Sequence, residues 1–235
     1  MRLNKYIASC GICSRRKADE LVKAGNVKIN GAVVLTPGTE VAEGDLVVVN
    51  GRQVKLPSKF LYYALNKPCG FVTTMSDEKG RPTVASLLAD APARVFPVGR
   101  LDMNTSGLLL MTNDGEIANK LSHPSSEISK TYLAEIGGSI KKEKLAALQN
   151  GVDIGDKNPT APAEVELLRQ KGSVSLIKIS IREGRNRQIR RMFKALGLNV
   201  LSLQRVAVGE IQLGHLLEGS YRKLNRKEIE YLKRI

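Results

Sequence analysis

An aspartate interrupts what should be a buried strand. In GRLDMNTSGLLLMTNDG, running from Gly99 to Gly115, the apolar residues before Gly99 give way to Arg100-Leu101-Asp102 and then to Asn104-Thr105-Ser106. The apolar run resumes only at Leu108–Met111. A carboxylate beside strands buried on both sides must be satisfied by a partner or used in chemistry. A second string, EGRNRQIRRMFKALG, carries the other informative pattern. On a helix over Arg187–Leu196, Arg187, Arg190, Arg191 and Lys194 recur at i, i+3, i+4 and i+7, opposite an apolar stripe of Ile189, Met192, Phe193 and Leu196. Arg182 and Arg185 lie just upstream. A face that is cationic throughout repels itself unless a polyanion or carboxylates compensate.

Other chemistries leave no trace in the sequence. There is no GxGxxG or GxxxxGK[ST] to cradle a nucleotide cofactor, no Ser/His/Asp order and no paired carboxylates near Asp102. Cys10 and Cys13 form a CxxC, but Cys69, His123 and His215 stand apart, short of the four ligands zinc needs. They read as reduced thiols, and no metal is expected. His123 reads as a helix-ending surface residue and Asn113-Asp114 as a helix cap. Tyr132, in the strand-like SKTYLAEI, reads on spacing alone as a half-buried core tyrosine.

The charge narrows the class of partner. Lys and Arg total 37 against 23 Asp and Glu, a net +14 over 235 residues, so the expected partner is a polyanion, most commonly nucleic acid. No apolar run reaches the roughly 18 residues of a spanning helix. The N-terminal MRLNKYIASCGICSRRKADE lacks the apolar core of a secretory signal, so no membrane partner and a cytoplasmic location are expected.

The elements that must position these residues fall into two groups. Residues 1–58 read as two short helices, the second capped by Ser14 and stopped at Gly25, then a hairpin, VKINGAVV, turned by Asn30-Gly31, and a last strand at Asp45–Val49. Over residues 1–59 ten Lys/Arg face five Asp/Glu, with Arg15, Arg16, Lys17, Lys23 and Lys28 gathered on the second helix and hairpin. Residues 59–235 carry strand signals in LYYALNK, ARVFPV, GLLLMT, SKTYLAEI, PAEVELL, SVSLIKISI and VLSLQRVAV. Helical candidates lie at Thr83–Leu88, Asp114–Ser122, Lys141–Gln149 and Arg187–Leu196. Strands mostly follow strands, which predicts an α+β fold: a small helix-plus-hairpin module, then a mixed, largely antiparallel sheet with flanking helices.

These strings resemble a known family. RLNKYIASCGICSRRKADELVKAGNVKINGAVV is similar to the αL RNA-binding module, whose basic residues would meet phosphates. GRLDMNTSGLLLMTNDG, SKTYLAEI and REGRNRQIRRMF look like the catalytic domain of a pseudouridine synthase, in the branch that acts on ribosomal RNA and carries an N-terminal αL module. The resemblance spans nearly the whole chain. It implies that Asp102 is the essential carboxylate and that Arg190 pairs with it. It further implies that Lys130 and Tyr132 form a Lys-x-Tyr motif with the tyrosine ring against the target base. Arg100, Lys130, Arg185, Arg187, Arg191 and Lys194 join the basic residues of the first module as expected RNA contacts. The implied reaction isomerises uridine in ribosomal RNA without a cofactor; EGRNRQIRRMF looks closer to the large-subunit branch than to the small-subunit one. The expected partner is that RNA or an assembling ribosomal particle, met by a monomer. A non-catalytic RNA-binding or ribosome-assembly factor would explain the charge and the module, but not the Asp102 and arginine pattern.

Overall fold

The computed structural model describes residues 1–235, leaving aside the side chain of Pro124. The chain divides into two compact units. One holds residues 1–61 with 90–95 and 112–115, and the other holds the remainder.

In the first unit α1 (Leu3–Ser9) and α2 (Arg15–Lys23) precede β1 (Val27–Ile29) and β2 (Ala32–Val33). Ser14 starts α2 because its Oγ accepts a hydrogen bond from the Lys17 amide at 3.2 Å, satisfying one of the helix's free donors. Asn30 and Gly31 both take positive φ, 50° and 85°, as a two-residue hairpin turn demands. Asn50-Gly51 repeats that signal, with φ 48° and 78°. Instead of ending at β3 (Val47–Val49), the chain therefore turns into a further strand, β4 (Arg52–Val54), and the sheet order is β2-β1-β3-β4. Leu3, Ile7, Ala18, Val22, Val27 and Val47 are fully buried between the helices and this sheet. Arg15, Arg16, Lys23 and Lys28 remain exposed, while Lys17 pairs with Glu20 at 2.8 Å. Burial pushes the Cys10 thiol up to about 11 and raises that of Cys13 as well, so neither thiol is readily ionised.

The second unit is built on a nine-stranded mixed sheet, consistent with the α+β expectation. Its elements are β5 (Tyr62–Lys67), β6 (Phe96–Pro97), β7 (Ser106–Thr112), α3 (Gly115–Ser122), β8 (Lys130–Gly137) and α4 (Lys142–Asn150). There follow β9 (Glu164–Lys171), β10 (Val174–Ile181), α5 (Gln188–Ala195), β11 (Asn199–Val208), β12 (Ile211–Gln212), β13 (Tyr221–Lys223) and α6 (Arg226–Arg234). The main path runs β13-β5-β7-β11-β8-β10-β9. Strands β8, β9, β10 and β11 pair antiparallel, but β7 and β11 run parallel, placing Gly107 beside Arg205. In place of the helix expected over Thr83–Leu88, the segment makes a 3-10 helix at Val84–Leu88. The chain beyond β11 carries no sequence expectation, yet α6 has a full capping box in which Asn225 and Glu228 exchange hydrogen bonds.

Candidate active site

Asp102 sits in the turn between β6 and β7, half-buried, and its main chain is fixed from both sides. The Thr73 hydroxyl donates to the Leu101 carbonyl at 2.7 Å and accepts from the Leu101 amide at 3.2 Å. The Gly70 amide donates to the Met103 carbonyl at 2.8 Å, and the Thr105 amide closes the turn on the Asp102 carbonyl at 3.0 Å. Lys67 is fully buried at the end of β5, donating to the carbonyls of Pro68 and Phe71 at 2.8 and 2.9 Å. Burial lowers its pKa, while Cys69 and Asp102 act in the opposite sense. The bonds from Thr73, Gly70 and Thr105 fix the main chain on both sides of Asp102.

A cavity of about 360 Å³ opens in front of this turn. Arg100, Asp102, Lys130, Tyr132, Arg187 and Arg190 all line it, as does Arg185. Tyr132 lies on β8, only 8% exposed, with its neighbour Lys130 half-buried and donating to the Ile128 carbonyl at 3.1 Å. Burial and the charge of Arg205 both push the Lys130 ammonium towards its neutral form. Lys194 and Arg191 do not line the cavity, and Arg15, Arg16, Lys17, Lys23 and Lys28 belong to the first unit.

The cationic helix differs from its sequence expectation in three ways. First, α5 begins at Gln188; Arg187 precedes it in a left-handed conformation, φ 49°, so it is not part of the helical row. Second, Arg191 turns to the protein. Its Nη2 donates to Asp156 Oδ1 and to the Ile154 carbonyl, each at 2.6 Å, and its Nη1 reaches Asp156 Oδ2 at 3.3 Å. Arg185 is likewise engaged, by Glu183 at 3.0 Å and the carbonyls of Asn158 and Pro159 at 2.6 and 2.7 Å. Both expected RNA contacts thus tie the loop around Asp156 to the start of α5, which leaves Arg187 and Lys194 exposed.

The third correction concerns Arg190. Rather than gripping Asp102 as expected, its Nη2 donates to the Asn104 carbonyl at 2.6 Å and its Nη1 to the Val200 carbonyl at 3.3 Å. No ion pair among the described residues includes Asp102. The two groups nevertheless sense each other. Burial and the like charge of Arg187 lower the Arg190 pKa, and Asp102 opposes that. The Nε of Arg190 and the hydroxyl of Thr105 are buried without a hydrogen-bond partner among the described residues. Main-chain carbonyls therefore hold this arginine on the loop that carries Asp102, leaving the carboxylate open to the cavity.

Sequence reasoning missed Arg205, which is only 4% exposed and also lines the cavity. It stands directly opposite Tyr132 in the β11–β8 pairing, and its Nε donates to the Leu108 carbonyl at 2.7 Å. The available signal was an arginine set within the β-branched run of VLSLQRVAV, where a charge has to be stabilised by the fold or by function. Gly107 makes the arrangement feasible. At φ 103° it lies against the Arg205 main chain, where a Cβ would run into the carbonyl oxygen.

A carboxylate, an aromatic ring and several cations line one cleft of this mixed sheet, the residue types that work on an RNA base would need. Comparison with known proteins agrees. The RNA pseudouridylate synthase family matches residues 61–195 and the S4 domain matches residues 1–47. The chain belongs to the RNA pseudouridylate synthase family, whose reaction converts uridine to pseudouridine. It is 45% identical to ribosomal large subunit pseudouridine synthase B of Bacillus subtilis, over 99% of this chain and 95% of that protein. An RNA pseudouridine synthase of Aquifex aeolicus is 42% identical over 99% and 93%. A crystal structure of a pseudouridylate synthase superposes with a TM-score of 0.72 at 33% identity, covering 99% of both chains.

Proposed function

We propose that this enzyme isomerises a uridine of large-subunit ribosomal RNA in the cytoplasm, as a monomer acting on the RNA or on an assembling particle. Asp102 is its essential carboxylate and Tyr132 the surface on which the extruded uracil rests. The observation that carries the assignment is the one cleft lined by Asp102 from the β6–β7 turn, Lys130 and Tyr132 from β8, and Arg190 from α5. The 45% identity to a large-subunit enzyme supports the choice of RNA. Residues 1–58 serve as the RNA-binding module and 59–235 as the catalytic domain; the S4 match and the exposed Arg15, Arg16, Lys23 and Lys28 support that division of labour.

The chemistry needs no electron acceptor and no added group. The N1–C1′ bond breaks, the uracil turns, C5 bonds to C1′, the C5 proton leaves and N1 regains one. Asp102 can attack the sugar, add to the base, or remove a sugar proton, and each route requires its ionised form. The target base has to leave its stack to reach the cleft, and an aromatic ring stabilises it there.

Purified protein and 5-tritiated ribosomal RNA test the assignment. Tritium release from large-subunit RNA, with little from small-subunit RNA, is the expected result. Release confined to small-subunit RNA would reassign the substrate, and binding of both RNAs without release would make the protein a binding factor.

A further inference from the structure

We infer that Arg205 and Lys130 together form an anion hole for the uracil while it is detached from the sugar. The inference rests on the isomerase reading of the cleft and adds a role to it. When the N1–C1′ bond breaks, the bonding pair stays with uracil, whose negative charge spreads from N1 onto O2 and O4. On the sugar side C1′ either bonds to a carboxylate oxygen or becomes part of a double bond as a neighbouring proton leaves. The uracil then bonds through C5, loses the C5 proton and is reprotonated at N1, so the reaction closes without an oxidant or reductant. On both of these routes the detached base is an anion, and it needs fixed positive charge nearby.

The structure provides that charge around the tyrosine that supports the base. Arg205 faces Tyr132 across the β11–β8 pairing, and Lys130 lies two residues from Tyr132 on β8. All three line the same cleft. Arg205 is buried, yet its Nε donates to a main-chain carbonyl, and no ion pair among the described residues includes it. Lys130 also donates to a carbonyl. Burial lowers the Lys130 pKa, and the positive charge of Arg205 lowers it further. Neither cation forms an ion pair among the described residues. An anion arriving in the transition state relieves both, which is the differential binding that accelerates a reaction.

The test compares RNA containing uridine with RNA containing 5-fluorouridine, whose base is a more stable anion once cleaved. Single-turnover rates are measured for the full-length enzyme and for Arg205→Met, following substrate consumption by nuclease digestion and chromatography. The expected loss on uridine is roughly 10²-fold, the effect of removing one fixed donor from a developing anion, with RNA affinity little changed. The loss on 5-fluorouridine is expected to be severalfold smaller. Equal losses on the two substrates would overturn the inference, because a merely structural defect cannot sense the leaving base; so would undiminished turnover. If Arg205→Met does not fold, Lys130→Met, at a less buried position, carries the same comparison: a smaller loss on 5-fluorouridine supports the anion hole and equal losses overturn it. An inactive wild-type enzyme would count against the proposed function, whereas an active one with equal losses counts against the anion hole alone.

Discussion

Gly107 lies flat against the main chain of Arg205, at the point where β7 and β11 pair in parallel. The contact joins the strand leaving the Asp102 turn to the strand that delivers a buried arginine to the cleft. A side chain at 107 has no space, and its backbone, at φ 103°, is one that L-residues avoid. Gly107→Ala is therefore expected to force β7 and β11 apart. Strain of this kind costs about 1–3 kcal/mol, before any loss of strand pairing. For a chain of this size that corresponds to a fall in melting temperature of roughly 2–12 °C, readable by calorimetry. A variant that melts with the wild type would show that the close approach does not matter.

Asp102→Asn is expected to abolish isomerisation while leaving RNA affinity within a few-fold. The amide keeps the shape of the side chain, and the turn's main chain is held by the Thr73 hydroxyl and the Gly70 and Thr105 amides, in bonds that do not involve the carboxylate. Tritium release from 5-tritiated uridine measures the first effect and filter binding the second. Near-normal release would remove Asp102 from the mechanism.

Much of the site was legible because its residues break a local rule. Asp102 interrupts an apolar run, and α5 shows charge and apolar residues at helical spacing. What the arginines hold was not legible. Arg191 and Arg185 meet Asp156 and the carbonyls of Ile154, Asn158 and Pro159, which come from a loop with no periodicity to announce where it folds. Arg190 finds its carbonyls 86 and 10 residues away in sequence, a placement set by sheet order and not by spacing. Arg205 was overlooked because its run reads as an ordinary buried strand until the pairing partner, Tyr132, is known. In the first unit the second Asn-Gly was as clear a hairpin signal as the first, and β4 could have been anticipated from it.

Replacing Arg191 is expected to alter stability at acid pH more than chemistry. Hydrogen bonds from Arg191 hold the Asp156 carboxyl below its ordinary value of 3.8, with Arg185 adding to the effect. A carboxylate lowered by folding stabilises the native state above its unfolded pKa, and that contribution disappears as pH falls through the folded value. Wild-type stability should thus decline below pH ~4 more steeply than that of Arg191→Met, which is already weaker at neutral pH. Urea denaturation at a series of pH values checks this. Parallel pH profiles would mean that the pair contributes nothing.

Arg190→Lys, by contrast, is expected to lower turnover far more than Arg191→Lys. One guanidinium at 190 spans two carbonyls, Asn104 on the Asp102 loop and Val200 on β11. A lysine keeps the charge, but its single ammonium lacks the planar fork that reaches both. The carboxylate loop would lose its tie to α5. At 191 the partner is a carboxylate on a loop outside the cleft, and a point charge still attracts it. Both positions lie on the same helix, so changes in helix propensity are matched and cancel in the comparison. Single-turnover rates with saturating enzyme isolate the chemical step from RNA binding. Equal rates in the two variants would show that Arg190 does not position Asp102 at all.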